Sequence, residues 1–202
     1  MGSTFKLVEQ HLPPIDQDSV FVEIGSDRYE GSTEFFAELA IKNNTVLHTV
    51  DISNEAQQRL TRSRNMPGII WHQASGSKWA AQTFPLLGKK ISLLYLDNFD
   101  YDWHIESPTP NIELQKKEYL ETFGIEMTNE NCQVEHFKQM LALYPYMNEH
   151  SIIMCDDTYQ LNDCWIGKCG PVVIYLLANG YKIITKEAGG NAGHNYGVIL
   201  AR

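Results

Sequence analysis

Short apolar runs alternate with amphipathic stretches along most of this chain. Five of the runs are rich in β-branched residues and have the length of buried strands: 19–25, 45–52, 68–74, 91–97 and 151–156. The stretches between them carry apolar residues at helical spacing, as Phe36, Leu39 and Ala40 do. Strands that alternate with helices predict a doubly wound α/β fold, in which a mainly parallel sheet has helices on both faces.

The end of the chain departs from this alternation. A helix predicted over 171–180 is followed by two apolar runs, 181–185 and 196–201, with no helix between them. Parallel neighbours need a longer crossover connection, so this pair must be antiparallel. The expectation is a seven-stranded sheet that is parallel except for its last strand, in one domain spanning residues 1–202.

Helix boundaries follow from capping residues. Ser32 or Thr33 is the predicted N-cap of the first helix, and Ser53 is that of a polar helix reaching Arg64. Residues 98–131 interrupt the alternation with prolines, aromatic residues and one predicted helix at 112–123. A connection of this length inside a compact domain is typically a lid or a binding element.

The charge of the chain argues against some partners. The formal net charge is −9, and the longest basic runs are the pairs Lys89-Lys90 and Lys116-Lys117. Nucleic-acid binding needs clustered positive charge, so no nucleic acid is expected as a partner. The acidic residues either gather around a cation or form a solvated surface.

The cysteines and the apolar runs indicate a cytoplasmic protein. Cys132, Cys155, Cys164 and Cys169 contain no CxxC pair and are predicted to be reduced thiols. No basic stretch precedes an apolar block at the N-terminus, and no run approaches the ~20 residues that span a bilayer. Neither a signal peptide nor a membrane location is expected, and the oligomeric state is left open, a homo-oligomer included.

Carboxylates stand at four of the five predicted strand ends. They are Glu23, Asp51, Asp97 and the pair Asp156-Asp157. In doubly wound sheets, ligands bind beyond the carboxyl ends of the strands. A carboxylate buried without a partner is costly, so bound ligands are the simplest explanation for these acids.

The first strand end, EIGSDRYEGST over residues 23–33, is rich in turn residues. Gly25 allows a sharp turn, and Gly31 allows the backbone to approach a ligand. The stretch is neither a GxGxxG fingerprint nor a P-loop, and by itself a plain strand–turn–helix explains it equally well. Asp51 lies at the end of the second strand, where an acid accepts hydrogen bonds from ribose hydroxyls. The two features together predict a ligand that contains a nucleoside.

These motifs, in this order, resemble those of a known enzyme family. VEIGS with GST, then VDIS, QASGS, LYLDNFD and CDDTY are similar to class I S-adenosylmethionine-dependent methyltransferases. The similarity is to the metal-dependent small-molecule O-methyltransferases of the catechol and macrolide-sugar types, and it covers nearly the whole chain. It implies a Rossmann-like methyltransferase fold and a small-molecule acceptor, such as a sugar or a secondary metabolite, selected by the insertion 98–131.

The resemblance also implies which residues hold the S-adenosylmethionine cofactor. Residues up to Thr33 would line its methionine part, Asp51 would hold the ribose, and later residues would surround the adenine. The full set lies at strand ends and at the first helix start: Glu23, Gly25, Ser26, Gly31, Ser32, Thr33, Asp51, Ile52, Ser75 and Phe99.

The resemblance further implies a metal site and a base. Asp97, Asp156 and Asp157 match metal-ligand positions, and three hard oxygens suit Mg²⁺. The cation would activate an acceptor oxygen as a Lewis acid. The catechol enzyme has a lysine base three residues after the first of these aspartates, whereas this chain has Asp100 there. Asp100 or His104 is therefore the predicted proton acceptor.

Other interpretations remain open from the sequence. Asp156-Asp157 before Thr158 also fits a helix N-cap. A metal-dependent hydroxylase has a similar scaffold, and a non-catalytic nucleoside-binding module would keep the cofactor site alone. A phosphatase-like hydrolase would need a DxDx(T/V) motif, and Asp97-Asn98-Phe99 does not match it.

Overall fold

The fold is that of a doubly wound α/β protein with one large central sheet. The structure is a computed structural model that describes residues 4–26, 30–63, 67–103, 109–186 and 197–202. The predicted base His104 and the 187–196 part of the loop before the last strand lie outside these ranges. Among the residues in these ranges, no helix has the length and apolar character that crossing a bilayer requires.

Seven strands form the central sheet in the order β3-β2-β1-β4-β5-β9-β8. Strands β1 to β5 run parallel, and β9 is antiparallel to both of its neighbours, as predicted. The strands are β1 Ser19–Ile24, β2 Leu47–Asp51, β3 Ile69–Gln73, β4 Lys90–Leu96, β5 Met147–Asp156, β8 Lys182–Lys186 and β9 Gly197–Ala201.

Six α-helices are described, and each predicted helix has a counterpart among them. They are α1 Ser32–Lys42, α2 Glu55–Ser63, α3 Gly76–Gln82, α4 Pro110–Glu118, α5 Asn129–Leu143 and α6 Gly170–Ala178. A π-helical turn over Tyr119–Phe123 continues α4. Short 3-10 turns occur at Thr4–Gln10, Phe84–Leu87 and Tyr144–Tyr146.

Both faces of the sheet are covered, which is why its central strands β1 and β4 are largely apolar and almost wholly buried. On one face, Trp79 of α3, Leu143 of α5 and Leu176 of α6 pack into a cluster with the strands. On the other face, Phe36 of α1 and Phe5 of the N-terminal 3-10 turn pack with strand residues in a second cluster. All six residues of β1 are buried, so the centre of the sheet is a rigid base for the residues at its carboxyl edge.

The first helix begins differently from the prediction. Its N-cap is Gly31, which has a φ of 89°, and neither Ser32 nor Thr33 caps the helix. The two hydroxyls instead donate hydrogen bonds to the Glu23 carboxylate of β1. The predicted serine or threonine cap is therefore wrong, because both residues already lie in the first turn of the helix and their hydroxyls bond to a buried carboxylate.

A β-hairpin that was not predicted lies between β5 and α6. Its strands, β6 Thr158–Leu161 and β7 Cys164–Gly167, form a separate two-stranded sheet. Asn162 and Asp163 both have positive φ angles, of 47° and 63°, as a type I′ turn requires. The alternative in which Asp156-Asp157 caps a helix is also wrong, because β6 begins at Thr158.

Candidate active site

A cavity of about 760 Å³ opens at the carboxyl ends of the central strands. This volume lies within the range of about 300–1,000 Å³ that is typical of small-molecule sites. Residues from the ends of all five parallel strands, β1 to β5, line it, joined by residues of α5 and of the insertion. The residues from the strand ends include Gly25, Asp51, Asp97 and Asp156. The position is the one that the sequence predicts for a ligand.

Gly25 brings the ends of β1 and β4 into close contact. A Cβ atom at this residue would lie 2.5 Å from the Asn98 nitrogen and from the Asp97 carbonyl. Its φ of +99° lies in the region that L side chains rarely adopt. Only glycine fits this turn without moving the β4 end, and that contact places Asp97 beside the cavity.

Asp51 presents its carboxylate to the cavity from the end of β2. One oxygen accepts a hydrogen bond from the backbone N–H of Ser26 at 3.0 Å, and the other accepts one from Ser53 at 2.7 Å. These two bonds fix the orientation of the carboxylate. Carboxylate oxygens accept hydrogen bonds, so this orientation suits a ligand that carries hydroxyl groups.

Glu23, Ser32 and Thr33 lie behind the cavity and do not belong to its described lining. The Glu23 carboxylate is fully buried and accepts hydrogen bonds from both hydroxyls, at 2.7 and 2.6 Å. Thr49 donates a third, at 2.6 Å. Their polar groups bond to one another and tie α1 to β1. Their contacts with the cofactor remain a prediction.

The other predicted cofactor residues lie mostly at the cavity. Ser26, Ile52, Ser75 and Phe99 belong to its lining, whereas Gly31 does not. The Phe99 ring packs against Tyr119 with a centroid distance of 5.2 Å. Phe99 also has a positive φ of 61°, which is strained for a bulky residue and is common where a structure holds a functional geometry.

Asp100, one of the two predicted bases, lies at the cavity but is held by the insertion. Its Oδ2 atom accepts hydrogen bonds from Gln115 Nε2 at 2.6 Å and from the Tyr119 hydroxyl at 2.9 Å. These two donors come from α4 and from the π-helical turn that continues it. The geometry therefore gives Asp100 a role in attaching the insertion to the β4 end.

The structure changes the grouping of the predicted metal ligands. Carboxylate oxygens of Asp97 and Asp156 lie within 4.8 Å of each other and of a third acid, Glu30, which the sequence had not singled out. Asp157 does not belong to this group. It forms an ion pair with Lys168, whose ammonium lies 3.0 Å from Asp157 Oδ2.

Lys168 also contacts the first predicted metal ligand. Its ammonium donates a hydrogen bond to Asp97 Oδ1 at 2.7 Å, and the Tyr95 hydroxyl donates one to Asp97 Oδ2 at 3.1 Å. A positive charge thus lies between Asp97 and Asp157. The predicted triad does not fit a divalent cation in this arrangement, because a lysine ammonium contacts two of its three members.

Burial and mutual repulsion shift the pKa values of these groups. Burial and the nearby Asp97 and Asp157 carboxylates raise the pKa of Asp156 well above its usual range. Burial also raises the pKa of Asp97, although Lys168 opposes that shift. For Lys168, burial favours the neutral amine, but the carboxylates of Asp97 and Asp157 outweigh it and raise the pKa well above its usual value. The lysine therefore remains charged at neutral pH.

The hairpin delivers Lys168 to this position. A Cβ atom at Gly167 would collide with the Asp157 carbonyl oxygen, so the β7 end lies directly on the β5 end. The backbone N–H of Lys168 then donates to the same carbonyl at 3.1 Å, and Cys169 N–H donates to the Thr158 hydroxyl at 3.0 Å. Sequence reasoning missed Lys168 because it missed the hairpin, for which Asn162-Asp163 between two β-prone tetrapeptides was the available signal.

The described lining of the cavity is strongly acidic. Eight acidic side chains and two lysine side chains belong to it, so the acidic residues outnumber the basic ones by six. Lys168 is one of the two lysines, and its charge is already paired with two of the carboxylates. Such a cavity favours cationic ligands and repels anionic ones.

Comparisons with known proteins identify the fold. No protein-family model matches this chain, and no curated protein sequence does either. LepI in complex with SAH and a substrate analogue is similar over 96% of this chain, with a TM-score of 0.51 and 13% identity; this chain spans only 46% of LepI. SMU.1697c of Streptococcus mutans in complex with SAH is similar over 99% of this chain and 98% of its own, with a TM-score of 0.54 and 10% identity.

A third similar structure is an rRNA methylase from Streptococcus thermophilus. It matches 98% of this chain and 93% of its own length, with a TM-score of 0.53 and 8% identity. At these identities the likeness is one of fold alone. It confirms the seven-stranded Rossmann-like architecture seen in proteins that bind SAH.

Proposed function

We propose that this Rossmann-like protein is an S-adenosylmethionine-dependent methyltransferase that methylates an oxygen of a small molecule. The observation that carries the proposal is the Asp51 carboxylate, which two backbone N–H groups orient toward the cavity at the end of β2. A carboxylate at the end of this strand suits the two hydroxyls of a ribose. The fold likeness to structures that contain SAH supports the same assignment.

The residues around Asp51 fit the rest of the cofactor. Ile52 and Phe99 offer apolar surface for an adenine, and Ser75 offers a hydroxyl at its edge. When bound, S-adenosylmethionine supplies a methyl group that its sulfonium makes electrophilic. The acidic lining favours this cofactor, because its sulfonium and ammonium groups are both cationic.

A small acceptor fits the cavity better than a nucleic acid does. One similar structure is an rRNA methylase, but the excess of six carboxylates in this cavity would repel phosphate groups. The aromatic residues Phe99, Tyr119 and Phe123 line the same cavity and offer an organic acceptor an apolar surface.

We propose that Asp156, and not the predicted Asp100, accepts the proton of the acceptor hydroxyl. The Asp156 side chain faces the cavity, and no residue in the described ranges donates a hydrogen bond to its carboxylate. Asp100, by contrast, is already bonded to Gln115 and Tyr119. Asp156 can therefore accept a proton from a hydroxyl within hydrogen-bond reach, leaving an oxygen nucleophile for in-line attack.

The magnesium requirement implied by the sequence remains a prediction. Among the described residues, Glu30, Asp97 and Asp156 lie close enough to share an ion, but Asp97 is already bound to the Lys168 ammonium. No step of the proposed reaction depends on a cation. What the chain's own residues do is orient the cofactor at Asp51, accept a proton at Asp156 and donate a hydrogen bond from Lys168.

The test begins with calorimetric titration of S-adenosylmethionine and S-adenosylhomocysteine into the protein. We expect saturable binding, weakened at least about tenfold in Asp51→Ala, a loss of roughly 1.4 kcal/mol or more. Absence of saturable binding in the wild type would refute the proposal. Methyl-labelled cofactor is then incubated with pools of hydroxylated small molecules and, separately, with total RNA.

The labelling step separates the remaining alternatives. Label in the small-molecule pool that is lost in Asp156→Asn supports the assignment of oxygen acceptor and base. Label in RNA would overturn the small-molecule acceptor. Cofactor binding without transfer to either pool would favour the non-catalytic nucleoside-binding module.

A further inference from the structure

We infer that the Lys168 ammonium is the built-in cation of this site and takes the place between Asp97 and Asp157 that a divalent metal ion would take. The inference deepens the proposed function, on which its catalytic consequence rests. The exclusion of metal ions by Lys168 can be tested without any methyl transfer.

The position of the ammonium is the first argument. Lys168 Nζ lies 2.7 Å from Asp97 Oδ1 and 3.0 Å from Asp157 Oδ2. These carboxylates come from the ends of β4 and β5, two adjacent strands of the sheet. One positive charge thus bridges two acids from neighbouring strand ends, which is the arrangement in which carboxylates hold a hard cation.

The burial of the ion pair is the second argument. The Lys168 side chain is 6% exposed, and those of Asp97 and Asp157 are 15% and 30% exposed. A lysine on a surface pair moves freely, whereas this one is enclosed and its backbone is hydrogen-bonded to the Asp157 carbonyl. Removing the lysine would leave two partly buried carboxylates without their counter-charge.

Competition with a metal ion follows from the shared ligand. Glu30, Asp97 and Asp156 could contribute oxygens to one ion, and Asp97 is also the acid that Lys168 contacts most closely. A divalent ion on Asp97 would be adjacent to the ammonium, and the two cations would repel each other in a poorly hydrated site. Metal binding therefore requires the lysine to leave.

The ammonium can also act on the acceptor. It has three N–H donors, and its partners among the described residues are the two carboxylates. Lys168 belongs to the cavity lining, so a third N–H remains for an acceptor oxygen. It would stabilise the charge that develops when that oxygen loses its proton, the task that the sequence assigned to Mg²⁺.

The experiment uses Mn²⁺ alone as the probe, followed by its paramagnetic resonance spectrum and by calorimetry. Lys168→Met removes the charge and keeps an unbranched side chain, whereas Lys168→Arg keeps the charge. We expect weak Mn²⁺ binding to the wild type and to Lys168→Arg, and binding at least about tenfold tighter to Lys168→Met. Adding Asp97→Asn to Lys168→Met should abolish the gain.

Two results would overturn the inference. One is wild-type Mn²⁺ binding that equals that of Lys168→Met and is lost in Asp97→Asn, which would mean that metal and lysine coexist. The other is a folded Lys168→Met variant that gains no affinity. Folding is checked by the S-adenosylhomocysteine affinity and the melting temperature, and Lys168→Gln replaces Lys168→Met if the latter is unfolded. Failure of cofactor binding would refute the proposed function and leave the Mn²⁺ result to stand separately.

Discussion

At the scale of single residues, the backbone orients the Asp51 carboxylate. Two N–H groups, from Ser26 and Ser53, hold its carboxylate at the cavity. Asp51→Asn keeps the shape but turns one acceptor oxygen into a donor, which then opposes either a backbone N–H or a ribose hydroxyl. We expect the affinity for S-adenosylhomocysteine to fall about tenfold or more, measured by calorimetry.

The control for Asp51→Asn is Glu149→Gln, which removes one carboxylate charge from a side chain that is 81% exposed. It should leave the affinity unchanged. Equal affinity in Asp51→Asn and wild type would show that the carboxylate does not contact the cofactor.

Gly25 gives a second prediction at the scale of one residue. Gly25→Ala places a methyl group 2.5 Å from the Asn98 and Asp97 backbone, at a φ of +99°. Overpacking and the unfavourable φ together should lower the free energy of unfolding by about 3 kcal/mol, measured by urea denaturation.

Gly88→Ala is the matched control for Gly25→Ala, because Gly88 also has a positive φ, of 62°, but no atom lies within 4 Å of its Cβ position. It should lose only about 1 kcal/mol. Equal losses in the two variants would mean that the contact between β1 and β4 is not tight.

At the scale of elements, α4 is attached to the β4 end by ionic contacts. The Asp102 carboxylate, 6% exposed, pairs with Lys116 of α4 at 2.9 Å. Lys116→Met removes the positive partner of a buried acid, so α4 should detach more often. We expect faster amide hydrogen exchange across 110–118, measured by mass spectrometry.

Lys117→Met tests whether the effect belongs to the buried pair. Lys117 pairs with Glu121 at 3.8 Å, and both side chains are more than 60% exposed. A pair this exposed contributes little, so exchange in α4 should match the wild type. Similar acceleration in both variants would assign the effect to helix propensity and not to Asp102.

The elements that the sequence predicted well are those with a strong periodic signal. The central strands β1 and β4 are apolar runs that are almost wholly buried, and the parallel order of β1 to β5 follows from the helices between them. The hairpin β6–β7 has no such run: Leu161 and Cys164 are both exposed. In the sequence, only the turn pair Asn162-Asp163 indicates the hairpin. Because the hairpin was not predicted, the position of Lys168 at the cavity was not predicted either.

The sequence predicted which strand ends meet at the site better than it predicted the contacts of the side chains there. The sequence placed Asp51, Asp97 and Asp156 correctly at one cavity, because parallel strands bring their carboxyl ends to one edge. It could not tell that the Glu23 carboxylate is buried behind that cavity lining, because this depends on the hydrogen bonds that Thr33 and Thr49 donate to it. Nor could the sequence predict that Lys168, which follows a separate hairpin, lies between Asp97 and Asp157.

At the scale of the whole molecule, buried histidines make the fold sensitive to acid. His136 of α5 is fully buried, and its Nδ1–H donates to the Cys132 carbonyl at 2.8 Å. Burial lowers its pKa to about 4, against 6.5 for an exposed histidine. The unfolded chain therefore binds a proton below pH 6.5 that the folded protein does not, and stability falls as the pH drops from 6.5 toward 4. The raised pKa of the Asp156 carboxyl acts in the opposite direction, because there the folded state binds the proton more tightly.

The variant His136→Gln separates the effect of His136 on the pH dependence of stability from the opposing effect of Asp156. The variant has no titrating group at 136, so its free energy of unfolding should depend less steeply on pH between 6.5 and 4, by up to about 1.4 kcal/mol per pH unit. Urea denaturation at pH 7.5, 6 and 5 measures the difference in slope, which is independent of any constant loss of stability in the variant. His150→Gln, at a side chain that is 63% exposed, should run parallel to the wild type. Parallel curves for His136→Gln as well would mean that His136 is protonated in the folded state, and the tight packing of α5 against the sheet would then have to admit a buried charge.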